Sequence, residues 1–138
     1  MKSVLDFLEG HGTSDELLIL GQCPSTNVKP LANGTYARLM KWCDEVGISM
    51  FAFHNVIPNK INSYDIKDVD EDALYNAVQG KKVIIALGGF VEKVCKKYQI
   101  ECYKIDHPSP RNRNLNDPKY EKKMLKQLKK YLDEHRTN

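Results

Sequence analysis

Apolar positions along the chain alternate between short continuous runs and stretches with helical spacing. Leu17-Leu18-Ile19-Leu20 is a continuous apolar run closed by Gly21, the pattern of a strand buried on both faces. From Gly34 to Val46, Tyr36, Leu39, Met40 and Cys43 recur at helical spacing, and Gly47 stops the pattern. Met50-Phe51-Ala52-Phe53 predicts a second strand that ends at His54-Asn55. Asp68 to Gln79 reads as a helix with acidic residues in its first turn, where they suit the dipole, and Gly80 ends it.

The second half repeats the alternation. Val83-Ile84-Ile85-Ala86-Leu87 is continuous, β-branched and bounded by Gly88-Gly89, the clearest strand signal in the chain. Phe90 to Tyr98 is helical, with Phe90, Val91, Val94 and Cys95 on one side. Glu101-Cys102-Tyr103-Lys104-Ile105 alternates as an edge or half-exposed strand does. Asp117-Pro118 opens a last helix, with proline at its favoured first position. Its expected buried stripe is Tyr120, Met124, Leu128 and Leu132, reinforced by Leu125 and Tyr131, with lysines over the rest. A further helix is expected at Ser3–Glu9. Strands alternating with helices predict a single α/β domain over residues 1–138, a three-layer α/β/α sandwich around a small parallel sheet.

Composition narrows the class. With 138 residues, 41% hydrophobic and 28% charged, the chain has one domain's length and a globular apolar fraction. No apolar run approaches the roughly 20 residues of a membrane span, and the mean hydropathy is −0.52. Asp6 and Glu9 fall where a signal peptide needs an unbroken apolar stretch. The expectation is a cytoplasmic protein with no membrane partner. Charge is uneven: residues 1–92 hold 8 Lys+Arg against 12 Asp+Glu, whereas residues 93–138 hold 13 against 6. A basic C-terminal third of this kind suits either a polyanionic partner or a solvated lysine-rich surface. Cys23, Cys43, Cys95 and Cys102 form no C-x-x-C pair and have no histidines at ligand spacing. They read as reduced thiols, three of them structural, and the spacing lends no support to an iron–sulfur cluster.

In an open parallel sheet, ligands bind outside the carboxyl ends of the strands. That rule selects Gly21-Gln22-Cys23-Pro24-Ser25-Thr26-Asn27, His54-Asn55-Val56-Ile57-Pro58, Gly88-Gly89, and Asp106-His107-Pro108-Ser109-Pro110-Arg111-Asn112-Arg113. These segments resemble the motifs of the uracil-DNA glycosylase superfamily. His107-Pro108-Ser109-Pro110 is similar to its second motif, an H-P-S-P loop directly after the last strand. Gly21-Gln22-Cys23-Pro24 is similar to its first motif, which reads G-Q-D-P, G-E-A-P or G-x-N-P in different branches. Phe53-His54-Asn55-Val56-Ile57-Pro58 resembles the strand and loop that carry a pyrimidine-reading asparagine. Gly34-x-x-x-Arg38-Leu39-Met40 through Val46-Gly47-Ile48 resembles the helix after the first motif, and Leu87-Gly88 the strand before the second. The motifs stand in the family's order across residues 15–133.

The resemblance implies a four-stranded parallel sheet, a pocket for a nucleotide swung out of the helix, and hydrolysis of the bond joining a pyrimidine to deoxyribose. No metal or organic cofactor is implied. His107 would donate to the base O2 as negative charge grows there; a turn-capping role is the alternative. Asn55 would pair with the amide edge of the base, since a carboxamide donates and accepts together; holding the loop before Pro58 is the alternative. Pro24, Ser25, Ser109, Pro110, Arg111 and Arg113 would meet DNA, single- or double-stranded, with the arginines on phosphates or filling the space left by the flipped nucleotide. Lys93, Lys96, Lys97 and Lys104 would extend the basic rim. A monomer is expected.

The chain departs from the family pattern where the attacking water is handled. Members with the strongest activity place a carboxylate at the second or third position of the first motif, where this chain has Gln22 and Cys23. Gln22 would orient a water through its carbonyl. Cys23 is either a nucleophile or a small residue filling the turn. The aromatic that stacks on the flipped base has Leu31, Tyr36 and Phe53 as its nearest equivalents, with a core role open for Phe53. Asp106 would orient His107, supply a compensating carboxylate, or sit at the surface. The leading expectation is a DNA-base glycosylase acting on uracil or a related modified pyrimidine. Two alternatives are an enzyme with altered chemistry on modified pyrimidines, and a non-catalytic nucleic-acid-binding relative that lost the water-activating carboxylate. An unrelated nucleotide-binding α/β protein would leave the H-P-S-P loop unexplained.

Overall fold

The structure, a computed structural model, describes residues 17–22, 34–48, 50–58, 65–108 and 112–136. The helix expected at Ser3–Glu9 lies outside these residues. The sheet has four parallel strands in the order β2-β1-β3-β4: β1 Leu17–Gly21, β2 Ala52–Asn55, β3 Val83–Leu87 and β4 Tyr103–Ile105. Around it stand α1 Gly34–Val46, α2 Glu71–Val78, α3 Gly89–Lys97 and α4 Pro118–Arg136. Short 3-10 turns at Ile66–Asp68 and Arg113–Asn116 precede α2 and α4.

Side-chain alternation along the strands explains the layering. Leu17, Ile19, Phe53, Val83, Ile85, Leu87 and Ile105 pack on α1 and α4, through Leu39, Trp42, Cys43, Val46, Met124, Leu125, Leu128 and Leu132. Leu18, Leu20, Ile84 and Ala86 point the other way and meet Leu74 of α2 with Val91, Val94 and Cys95 of α3. The two central strands therefore need apolar residues at every position, and every residue of β1 and β3 is buried. This is the α/β/α sandwich that the periodicity predicts.

The crossovers set the layers as well. From β1 the chain steps outward to β2, then passes back over β1 to β3 and on to β4. Crossovers of one hand place α1 on one face and α2 and α3 on the other, as the two core clusters have it. Glu121 of α4 lies 3.8 Å from Arg38 and 4.0 Å from Lys41 of α1, joining the two helices of one layer.

Three boundaries differ from the sequence expectation. The second strand starts at Ala52, because the register pairs Leu18 with Ala52; Met50 is exposed outside the sheet. The helix read from Asp68 splits into a 3-10 turn capped by Asp65 and a helix capped by Asp70, whose carboxylate accepts from Ala73 N at 3.1 Å. A second aspartate cap thus restarts the helix. Tyr120, expected in the buried stripe of the last helix, is 39% exposed. Its hydroxyl instead donates to the Asp106 carboxylate, at 2.9 Å to Oδ1.

Candidate functional site

The carboxyl ends of the strands bring together residues from three distant stretches of sequence. Asn55 closes β2 opposite Gly21 of β1 and is 1% exposed, the one buried polar residue among those described. Its carboxamide leans across its neighbour: a β-carbon on Gly21 would stand 2.7 Å from Asn55 Oδ1 and 2.6 Å from the Phe53 ring. Both are closer than side chains tolerate, so glycine at 21 is what admits the amide over β1. The chain then continues in parallel, with Val56 N donating to Gly21 O at 3.0 Å and Ile57 N to Gln22 O at 2.9 Å. These bonds hold Gln22 beside the Asn55 loop, with its side chain half-buried.

A second close approach seats His107. Gly88 N donates to Ile105 O at 2.8 Å, clamping the turn after β3 to the end of β4. A β-carbon on Gly88 would lie 3.3 Å from His107 Cβ, and Gly88 itself has φ +92°. His107 therefore packs against the end of β3, not out beyond the edge strand. Burial lowers the His107 pKa below its ordinary value, favouring neutral imidazole. Pro108 beside it is buried.

Asn55 thus leans on the end of β1, and His107 on the end of β3. Those two strands are hydrogen-bonded neighbours, with axes about 4.8 Å apart. Their junction is also where the strand order reverses direction, the place at which open α/β sheets bind ligands. A neutral imidazole and a carboxamide at neighbouring strand ends carry the donors and acceptors that a small planar polar group requires.

Asn112 and Tyr120 anchor Asp106 and the His107 backbone beside the start of α4. Asn112 Nδ2 donates to Asp106 Oδ2 at 2.9 Å and to the His107 carbonyl at 3.5 Å, while Tyr120 holds the other carboxylate oxygen. Asp106 therefore ties the end of β4 to Asn112 and to Tyr120 of α4. The bond to Asp106 raises the Tyr120 pKa. No local pattern announces a contact between positions 106 and 120; the only hint is a polar residue in an otherwise apolar helical stripe.

Other expected site residues fall as follows. Phe53 is 3% exposed and belongs to the core cluster, with its ring edge against Gly21. Arg113 is exposed at the start of the 3-10 turn before α4. Tyr36 lies in α1, with its side chain outside the described residues. Cys23, Pro24, Ser25, Leu31, Ser109, Pro110 and Arg111 also lie outside them. The basic rim needs a correction. A helix returning to the start of the next strand must run antiparallel to the strands, so α3 carries Lys96 and Lys97 to the pole opposite Asn55 and His107. At that opposite pole, before β3 and β4, a cleft of about 380 Å³ is lined by Tyr75, Lys81, Ile84, Tyr98, Glu101 and Tyr131, among others.

Among the described residues no group of three or more His, Cys, Asp or Glu side chains is placed to hold a metal ion. None of the described helices is long and apolar enough to cross a membrane. No protein-family model matches the chain, and no curated protein matches it.

Proposed function

We propose that the chain is a DNA-base glycosylase that hydrolyses the N-glycosidic bond of uracil or a related modified pyrimidine flipped out of DNA. The observation that carries this reading is the pair of glycine-permitted approaches: Asn55 over Gly21 and His107 against Gly88, on adjacent strands at the switch point. In this mechanism Asn55 reads the amide edge of the base. Neutral His107 donates an N–H to O2 as the glycosidic bond breaks and its electrons move onto the base. Water, aligned by the Gln22 carbonyl, adds to the sugar C1′ and releases one proton to solvent; the base leaves as the N1–H form after taking up a proton.

One observation favours the second reading, a relative that binds nucleic acid without excising a base. Asp106, the carboxylate nearest in sequence to His107, is engaged by Tyr120 and Asn112. It is therefore held in a structural clasp where a compensating water-activating group was sought.

The test is excision from labelled single- and double-stranded oligonucleotides carrying uracil or a panel of modified pyrimidines, followed by alkaline cleavage. The glycosylase reading expects abasic sites with at least one base. Salt-dependent binding with no abasic sites on any substrate leaves the binding relative, and absence of both binding and excision removes all nucleic-acid readings.

A further inference from the structure

Away from this site, two cysteines meet where α3 turns into β4. Cys95 is fully buried on α3, and Cys102, half-buried, packs against the same apolar cluster just before β4. The turn between them is fixed by backbone bonds. Gln99 takes a left-handed conformation at φ 58°, Ile100 N donates to Cys95 O at 2.8 Å, and Gln99 N to Lys96 O at 3.3 Å. That pairing is a Schellman cap, which folds the chain back over the last helical turn. The reversal carries Cys102 alongside Cys95, whose thiol donates a hydrogen bond to the Cys102 sulfur.

The two thiols are made unequal by that bond. Donation from Cys95, with help from Lys96, lowers the Cys102 pKa against the opposing effects of burial, Glu92 and Glu101. The same bond and burial raise that of Cys95. Cys102 is also the more accessible of the two, being half-buried where Cys95 is fully buried. Cys43 is the internal control, since burial alone pushes it up to about 12, as expected of an inert core thiol.

We infer that Cys95 and Cys102 form a peroxide-reactive pair, a modification site in which Cys102 is oxidised first and Cys95 closes the disulfide. The Cys102 thiolate attacks one oxygen of hydrogen peroxide, the O–O bond breaks, and Cys102 becomes a sulfenic acid while hydroxide leaves and is protonated to water. The Cys95 sulfur then attacks the Cys102 sulfur. The S–S bond forms, the S–O bond breaks, and a second water departs with the Cys95 proton. Both cysteines are oxidised and the peroxide is reduced. This inference is independent of the reading of the strand ends.

The experiment uses the full chain carrying Cys23→Ser, so that only Cys43, Cys95 and Cys102 remain. After brief peroxide treatment and alkylation, peptide mass spectrometry is expected to find Cys95 joined to Cys102, two hydrogens lighter than the reduced pair. Cys43 should be alkylated only after unfolding. The folded chain should form the link at least about tenfold faster than the same chain in urea, because the fold supplies the activation. In Cys95→Ser, a dimedone adduct should accumulate on Cys102; in Cys102→Ser, Cys95 should stay reduced. Equal rates in folded and urea-unfolded chain overturn the inference, as does a Cys102 that over-oxidises without linking. If either variant fails to fold by circular dichroism, the rate comparison on the Cys23→Ser chain alone decides.

Discussion

His107 rests on Gly88, with 3.3 Å between the His107 β-carbon and the place where a β-carbon at 88 would stand. At φ +92° and ψ 170°, Gly88 also occupies backbone space that is essentially reserved for glycine. Gly88→Ala should therefore cost about 1–3 kcal/mol of stability from backbone strain, read by urea unfolding. The added methyl should also displace the imidazole, so that any base excision falls further than the stability loss explains. Wild-type stability in this variant would show that the turn relaxes freely.

Replacing His107 itself separates chemistry from folding. If its N–H stabilises the departing base, His107→Ala should slow excision by about 10²–10³. Affinity for the same oligonucleotide should change far less, because the interaction develops as the bond breaks. An unchanged single-turnover rate would remove His107 from the mechanism.

The lowered pKa of His107 also predicts how stability depends on pH. Its folded value lies below the ordinary 6.5, so between the two the unfolded chain binds more protons than the folded one. Stability from this group is then complete above about 6.5, declines as pH falls through the window beneath it, and levels off below the folded value. Urea midpoints measured across mildly acidic pH should show this decline, and His107→Gln should flatten it.

Leu74 is the only fully buried side chain of α2, so that helix is attached to the sheet largely through one residue. Leu74→Ala should cost about 2–5 kcal/mol, as cavity-forming core truncations do. Hydrogen exchange should rise in α2 before it rises in β1 or β3.

The layering was legible because it depends on burial. Val83–Leu87 reads as a central strand from residue type alone, and the structure places it there with all five residues covered. Boundaries set by local polar contacts were harder to read. Asp68 and Asp70 are both plausible helix starts in sequence, and only the Asp65–Asp68 capping box shows that two short elements share the segment. For the candidate site, the strand-end rule selects whole segments, and the resemblance to the glycosylase motifs picks Asn55 and His107 out of them. The close approaches of Asn55 to Gly21 and of His107 to Gly88 were not visible, since the motif resemblance names the glycines without saying which side chains lean on them. Helical spacing puts Tyr120 in the core, whereas its hydroxyl donates to a carboxylate fourteen residues away in sequence. Trp42, 1% exposed with its indole nitrogen lacking a hydrogen-bond partner among the described residues, is the largest core side chain that the pattern did not flag.

The all-parallel sheet has a kinetic consequence. Leu17 pairs with Val83, Leu18 with Ala52 and Ile85 with Tyr103, so no strand can zip onto a neighbour through a tight hairpin. Each pairing must wait for an intervening helix to condense, and the central strand stays without its β3 neighbour until more than half the chain has been synthesised. Loop closure of that kind slows folding, and in the interval β1 exposes a bare apolar ribbon to any other chain emerging nearby.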